Sequence, residues 1–355
     1  MLCAVRDGPI SSDRVSATGE PKGSLIYHRL VIRVVTDSRC LGHQALPGYP
    51  ERPERLSGIL AHLRGAGLEI VDLQPPSPHS AAAGQTDAEP SPPALAAVTA
   101  LHAESYVRRF ERAAARGDAV LDSADNPLSP GVWAAAWGAV EATLAAADWV
   151  AAGGHRVGFA AVRPPGHHAE TATAMGFCFF NNVAVAAEHL RRRHGASRVA
   201  IFDFDVHHGN GTQHLFESRP DVLYASTHQY PFYPGTGAAG EIGTGAGVGA
   251  TLNLPLPAGT GDDGYAEAIA GAVLPALRRF SPEVLLLSAG FDAWMRDPLG
   301  GMAVTAAGFA RWGEWLRELA AETCGGRVLA VLEGGYDLES LPGLVTAHLQ
   351  GLAAG

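Results

Sequence analysis

The sequence predicts an α/β protein, with a mainly parallel β-sheet covered on both faces by helices. Three observations predict it. Short apolar runs recur along most of the 355 residues. Helical patterns stand between many of them, and strands that alternate with helices build a parallel sheet. The motifs richest in reactive side chains follow these runs at their carboxyl ends, where open α/β sheets place their ligand sites.

In chain order, Leu30–Thr36 reads as a strand, Arg52–Arg64 as a helix and Glu69–Leu73 as a second strand. Pro75 to Pro93, rich in Pro, Ser, Ala and Gly, reads as a surface loop. Helical patterns follow at Glu104–Arg116 and Pro130–Ala152. The segment Gly131 to Gly154 is long and apolar, but Glu141 and Asp148 interrupt it, so it reads as a buried alanine-rich helix rather than a membrane span. Val157–Val162 is a strand, Asn182–Arg193 a helix, and Val199–Phe204 and Val222–Ser226 are strands. Tyr230 to Gly249, rich in glycine and aromatics, reads as a second long loop. Ala250–Leu254, Val284–Ser288 and Val328–Leu332 complete the strands, and Asp263–Phe280, Thr305–Thr323 and Leu338–Leu352 the helices. There is no repeat of fixed period.

The chain is 47% hydrophobic and 17% charged, with enough length for a large core. No linker divides it. The net charge of −10 argues against a nucleic-acid-binding surface. Cys3, Cys40, Cys178 and Cys324 are scattered without a CxxC pair, which fits a reduced compartment and no cysteine metal site. Met1 to Lys22 carry charges, Ser, Gly and Pro instead of an apolar leader, so residues 1–25 read as a disordered extension, or a mis-called start, ahead of a domain at 26–355. The alanine-, arginine- and glycine-rich composition suggests a cytoplasmic protein of a high-GC bacterium.

The most informative stretch is Asp203-Phe204-Asp205-Val206-His207-His208-Gly209-Asn210-Gly211, at the end of the apolar run Val199–Phe202. In a strand, alternate residues share a face, so Asp203, Asp205 and His207 are expected to project together. Buried acids beside a histidine are costly without a compensating cation, and a divalent metal is the simplest one. Three further motifs follow strands: Ser288-Ala289-Gly290-Phe291-Asp292, Arg163-Pro164-Pro165-Gly166-His167-His168-Ala169, and Leu332-Glu333-Gly334-Gly335-Tyr336. In a parallel sheet all four can meet on one side.

Two Asp and one His with an open position for water suit catalytic Zn²⁺, and the set also accepts Fe²⁺ or Mn²⁺. The histidine pair could move a proton and the tyrosine could stabilise an oxyanion, which together describe metal-assisted amide hydrolysis. Taken singly, each motif has a plainer reading. Asp292 could cap a helix, His167 and His168 could be a polar loop pair, and Tyr336 could be a core aromatic. Four such motifs at four strand ends outweigh those readings. His43, His102, His155, His194, His214 and His348 show no such clustering and read as structural or surface residues.

On these motifs the chain resembles the histone deacetylase superfamily, which includes bacterial histone-deacetylase-like amidohydrolases and acetylpolyamine amidohydrolases. Further matches are Pro50-Glu51-Arg52-Pro53-Glu54-Arg55-Leu56, Gly176-Phe177-Cys178-Phe179-Phe180-Asn181-Asn182 and Tyr233-Pro234-Gly235-Thr236-Gly237. The resemblance implies a single arginase-like α/β domain with a central eight-stranded, mainly parallel sheet. It implies zinc ligation by Asp205, His207 and Asp292. His168 would be the principal general base and acid, with Asn210 behind it, where some members have Asp. His167 would be an electrostatic partner, with Asp203 behind it. Tyr336 would hydrogen-bond the substrate carbonyl, and Gly176 would offer its backbone carbonyl to the scissile N–H. Phe177 and Tyr233 would flank a narrow tunnel, and Arg55 would sit near its inner end. A K⁺ ion would be held by backbone carbonyls around Asp203, Asp205 and His207, with Ser226. Tyr49 departs from the family pattern, where His often precedes Pro-Glu-Arg-Pro.

The implied substrate is an acetylated lysine peptide or protein, or a similar small N-acyl amine; the sequence leaves the oligomeric state open. Members that prefer acetylpolyamines can carry a glutamate where this chain has Leu299, and leucine cannot attract a second ammonium. A polyamine or other small-molecule amide deacetylase is therefore the alternative. A non-catalytic acyl-lysine-binding protein is a third reading, which the intact ligand, base and tyrosine set opposes.

Overall fold

The computed structural model describes residues 31–44, 46–74 and 89–353. The expected extension at 1–25 lies outside them, as does most of the loop expected from Pro75. The eight strands are β1 (Val31–Thr36), β2 (Ile70–Asp72), β3 (Arg156–Ala160), β4 (Val199–Asp203), β5 (Val222–Gln229), β6 (Thr251–Leu256), β7 (Val284–Ala289) and β8 (Arg327–Leu332). They form one sheet in the order β2-β1-β3-β8-β7-β4-β5-β6. Every pairing of these strands is parallel. Parallel strands need long crossovers, and helices supply most of them.

The helices are α1 (Pro53–Gly65), α2 (Pro92–Thr99), α3 (Glu104–Arg116), α4 (Val132–Ala151), α5 (Asn182–His194), α6 (Asn210–Phe216), α7 (Asp262–Ala268), α8 (Leu274–Phe280), α9 (Ala306–Thr323) and α10 (Leu341–Ala353). The central strands β4 and β7 are buried along their whole length, as expected where helices cover both faces. A second apolar cluster joins α2, α3 and α4 to Phe179 and Phe180.

Helix α4 is the buried alanine-rich helix expected there. Its two acids stay at the margin: Glu141 pairs with Arg39 and accepts from the Ser91 N–H, and Asp148 meets His189 and His194. No helix among the described residues is long and apolar enough to cross a membrane.

Three elements differ from expectation. The helix expected over Asp263–Phe280 runs through a π-helical turn at Ile269–Val273. Pro275 stands just beyond this turn; it has no N–H to give and its ring crowds the carbonyl four residues back, so the ladder is displaced there. Helix α2 starts with two prolines after Ser91, a helix-start pattern hidden inside a Pro-rich stretch. Helix α6 is short and begins inside the Gly209-Asn210-Gly211 turn, where glycine composition masked it.

Strands β3, β8, β7 and β4 are consecutive neighbours at the centre of the sheet. The four motifs singled out in the sequence each follow one of these strands. Sheet order therefore brings them together along one edge.

Candidate active site

After β4 the chain leaves the sheet, and each acid there is fixed by backbone donors. Asp205 Oδ2 accepts from the Gly334 N–H at 2.8 Å, and Asp205 Oδ1 accepts from the His207 N–H at 2.9 Å. Asp292 Oδ1 accepts from the Val206 N–H at 2.8 Å. His207 Nδ1 then lies 3.1 Å from both Asp205 Oδ1 and Asp292 Oδ2. One ligand atom from each of the three residues lies within 4.8 Å of the others. Zinc bonds of ~2.0–2.1 Å in tetrahedral geometry put neighbouring ligand atoms roughly 3.3 Å apart, so this spacing fits one ion.

The charge balance fits a cation as well. Burial and repulsion from Asp205 push the Asp292 carboxyl up from its ordinary range. Burial acts the same way on Asp205, but His167 and His207 outweigh it and hold that carboxyl low. Two fully buried carboxylates facing one imidazole are relieved by a divalent ion, which accepts all three as ligands.

Asp203 does not join this group. The strand geometry that was expected to align it with Asp205 and His207 ends at Asp203 itself. Its Oδ2 meets His167 Nδ1 at 3.1 Å and accepts from the Tyr224 hydroxyl at 3.2 Å. Asp203 thus stands behind His167, whose Nε2 is 3.8 Å from Asp205 Oδ1. Burial lowers the basicity of His167, but Asp205 and Asp203 outweigh it and lift the imidazole to about 10. A divalent cation at Asp205 would weaken that lift.

His168 is held the other way. Burial, then the neighbouring His167 and His207, push it well below 6.5, while a hydrogen bond to Asn210 opposes them. Its Nδ1 lies 2.7 Å from Asn210 Oδ1, and its ring centroid 4.0 Å from that of His167.

The aromatic residues surround this centre from separate loops. Phe177 meets Tyr336 edge to face at 5.8 Å and Tyr49 at 5.3 Å. Tyr233 is edge-on to His168 at 5.2 Å, and Phe232 stacks on His207 at 5.3 Å. Gly176 has φ +57°, and a Cβ there would overlap the His168 ring; only glycine meets both demands. Tyr336 is buried, and burial raises its hydroxyl well above 10 even though Arg55 acts to lower it, so at neutral pH it is a phenol O–H donor. The Arg55 guanidinium lies 4.7 Å from the Tyr336 ring centroid and donates to the Gly335 and Glu333 carbonyls. Leu299 is half-buried in the turn after Asp297, and its N–H donates to Asp297 Oδ1.

Several site residues were not singled out from the sequence. Asp125 accepts from the Tyr233 hydroxyl at 2.8 Å and from the Gly176 N–H at 3.0 Å. Its carbonyl accepts from the Tyr49 hydroxyl at 2.5 Å, so Tyr49 joins the same rim. Nothing in a lone acid within a polar turn marks it. Asp297 accepts from the Tyr336 N–H, and Glu333 from the Gly166 and His167 N–H groups. Glu51 binds Arg163 and Arg55; its spacing of four from Arg55 on a helix start was the available signal.

His194 corrects the expectation of an isolated residue. Its Nε2 and that of His189 both reach Asp148 Oδ1, at 2.6 and 2.7 Å, and these three could also hold a metal. The group is half-exposed, and Arg193 already stands 3.9 Å from the same oxygen, a cation that opposes a second one. The buried group at Asp205 is the better site. His214 is not isolated either; it pairs with Glu170.

Comparison with known proteins places the chain in a family. Residues 49–352 match the histone deacetylase domain. The chain is 39% identical over 314 residues to a probable deacetylase of Archaeoglobus fulgidus, covering 87% of this chain and 82% of that protein. It is 49% identical over 196 residues to the chloroplastic histone deacetylase 14 of Arabidopsis thaliana, which is 55% of this chain but only 46% of that protein. Acetylpolyamine aminohydrolase from Burkholderia pseudomallei superposes with a TM-score of 0.77 at 31% identity, covering 91% of this chain and 99% of that one. The chain belongs to the histone deacetylase family, and its single eight-stranded parallel α/β domain is that family's fold.

Proposed function

We propose that the protein is a zinc-dependent deacylase that hydrolyses the amide of N-acetyl-lysine side chains, or of a similar small N-acyl amine, to acetate and the free amine. One observation carries this reading. Asp205, His207 and Asp292 turn their ligand atoms to one point, and the paired imidazoles of His167 and His168 stand beside it.

Zinc held by these three residues would polarise the acetyl carbonyl and make bound water acidic enough to serve at neutral pH. The chain's own groups do the rest. His168, neutral and unprotonated at Nε2, takes the proton from water and passes it to the departing amine. His167, backed by Asp203, supplies positive charge next to it. The Tyr336 phenol donates to the carbonyl oxygen as negative charge develops there. The Gly176 carbonyl accepts the scissile N–H and holds the amide in register. Phe177 and Tyr233 flank an aliphatic arm and exclude water around it. The ligand set accepts Fe²⁺ as well as zinc. A K⁺ ion near Asp203, with Ser226, belongs to the same proposal.

The alternative substrate is an acetylated polyamine, favoured by the similarity to an acetylpolyamine aminohydrolase. Leu299 opposes it, because an apolar side chain gives no counter-charge to a second ammonium. The test is acetate release by zinc-loaded protein from an acetyl-lysine peptide and an acetylated polyamine, side by side at matched concentrations. Faster turnover of the peptide is expected. Faster turnover of the polyamine would overturn the lysine assignment and show that loops other than the one with Leu299 set specificity.

A further inference from the structure

A line of side chains runs from His168 outward to solvent. Asn210 Oδ1 faces His168 Nδ1 at 2.7 Å, and Asn210 Nδ2 faces Glu170 Oε1 at 2.5 Å. Glu170 is held in turn by His214 Nδ1, at 2.8 and 2.9 Å from its two oxygens. Its backbone is anchored on both sides: its N–H donates to the Thr173 carbonyl, and its carbonyl takes a hydrogen bond from His102 Nδ1 at 2.8 Å.

A carboxamide behind a catalytic histidine poses a problem that a carboxylate does not. Rotated by half a turn, the Asn210 side chain exchanges acceptor for donor. With Oδ1 toward His168, the imidazole carries its proton on Nδ1, and Nε2 keeps a lone pair for the reacting water. With Nδ2 toward His168, the proton moves to Nε2 and the base is lost. Something must select the first orientation. The groups around Asn210 Nδ2 are acceptors: Glu170 Oε1, the His168 carbonyl at 3.4 Å and Met175 Sδ at 3.3 Å. Of these only Glu170 is charged and close. In the wrong orientation Asn210 Oδ1 would face that carboxylate, acceptor against acceptor, in a site where Asn210 and His168 are each 3% exposed.

We infer that Glu170 is a positioning residue for catalysis: its carboxylate locks the Asn210 amide so that His168 is held as the Nδ1–H tautomer. The inference rests on the hydrolytic reading above for its consequence, but not for its geometry.

The isosteric Glu170→Gln variant is the sharp probe, because a glutamine amide can satisfy either orientation of Asn210. Four zinc-loaded proteins are compared: wild type, Glu170→Gln, Asn210→Asp and the double variant. In the wild-type background, Glu170→Gln is expected to lower kcat about tenfold with little change in KM, zinc content or Tm. In the Asn210→Asp background the tautomer no longer depends on an amide and the two carboxylates repel, so the same substitution should leave kcat unchanged or raise it. An equal loss in both backgrounds, accompanied by a lower Tm, would reduce Glu170 to a structural residue and overturn the inference. ¹⁵N NMR of histidine-labelled protein reads the His168 tautomer without any turnover. Nδ1–H in the wild type, with Nε2–H appearing in Glu170→Gln, is expected; the same tautomer in both overturns the inference. If the wild type releases acetate from no amide, the proposed function fails, while the tautomer result still judges Glu170.

Discussion

At the scale of single residues, the site depends on groups whose chemistry is set by what surrounds them. In the proposed reaction Tyr336 is a donor, and burial, which raises its hydroxyl well above 10, keeps it one into the alkaline range. Tyr336→Phe should therefore cost about 10²- to 10³-fold in kcat, the usual loss for one oxyanion donor, with zinc content unchanged. Steady-state kinetics with metal analysis checks this; full activity would remove Tyr336 from the mechanism. Asp205, His207, Asp292 and Tyr336 were legible in the sequence because each sits in a short motif at the end of an apolar run. Asp125 and Glu170 were not. Their importance lies in which donors the fold turns toward them, and no spacing rule encodes a partner 40 or 51 residues away, as Asn210 and Gly176 are.

At the scale of elements, the sheet order does the assembling. Crossovers place β3, β8, β7 and β4 side by side, so four loops far apart in sequence share one edge. The loop after β8 shows how tight that convergence is. Gly334 donates its N–H to Asp205, and a Cβ at Gly334 would overlap both Asp292 Oδ2 and Asp205 Oδ2. Gly334→Ala should abolish zinc binding by displacing two ligands it leaves chemically intact, with Tm of the metal-free protein lowered only modestly. Equilibrium dialysis with metal analysis checks it; wild-type zinc affinity would show that the loop has slack. Strand existence and direction were legible from apolar runs alternating with helices. The π-turn before Pro275 and the short helix α6 were not, since both arise where a local breaker is overruled by the packing of its neighbours.

At the scale of the whole molecule, one buried ion cluster ties the site to the frame. Glu51 takes two hydrogen bonds from Arg163, at 2.9 and 2.7 Å, and one from Arg55 at 3.2 Å. This joins the chain entering α1 to the loop after β3 and, through Arg55, to the loop after β8. Burial pushes the Glu51 carboxyl up, but Arg163 and then Arg55 outweigh it and hold it at about 2, against an ordinary 4.5. The folded value is depressed, so this contribution is complete above pH 4.5 and is lost as pH falls from there through 2; it is on the order of 3 kcal/mol. Glu51→Gln should lower stability at pH 7 by ~3–5 kcal/mol, because two arginines are left buried without their acid. It should also flatten the pH dependence between 4.5 and 2. Urea unfolding across that range checks both.

In the proposed function a divalent metal at Asp205, His207 and Asp292 drives amide hydrolysis. The most direct test is acetate release from an acetyl-lysine peptide by protein stripped with a chelator and then given zinc. Loss of activity on stripping, with recovery at one zinc per chain, is the predicted result. Unchanged activity in the stripped protein, or no acetate from the zinc-loaded one, would rule out metal-driven hydrolysis at this site.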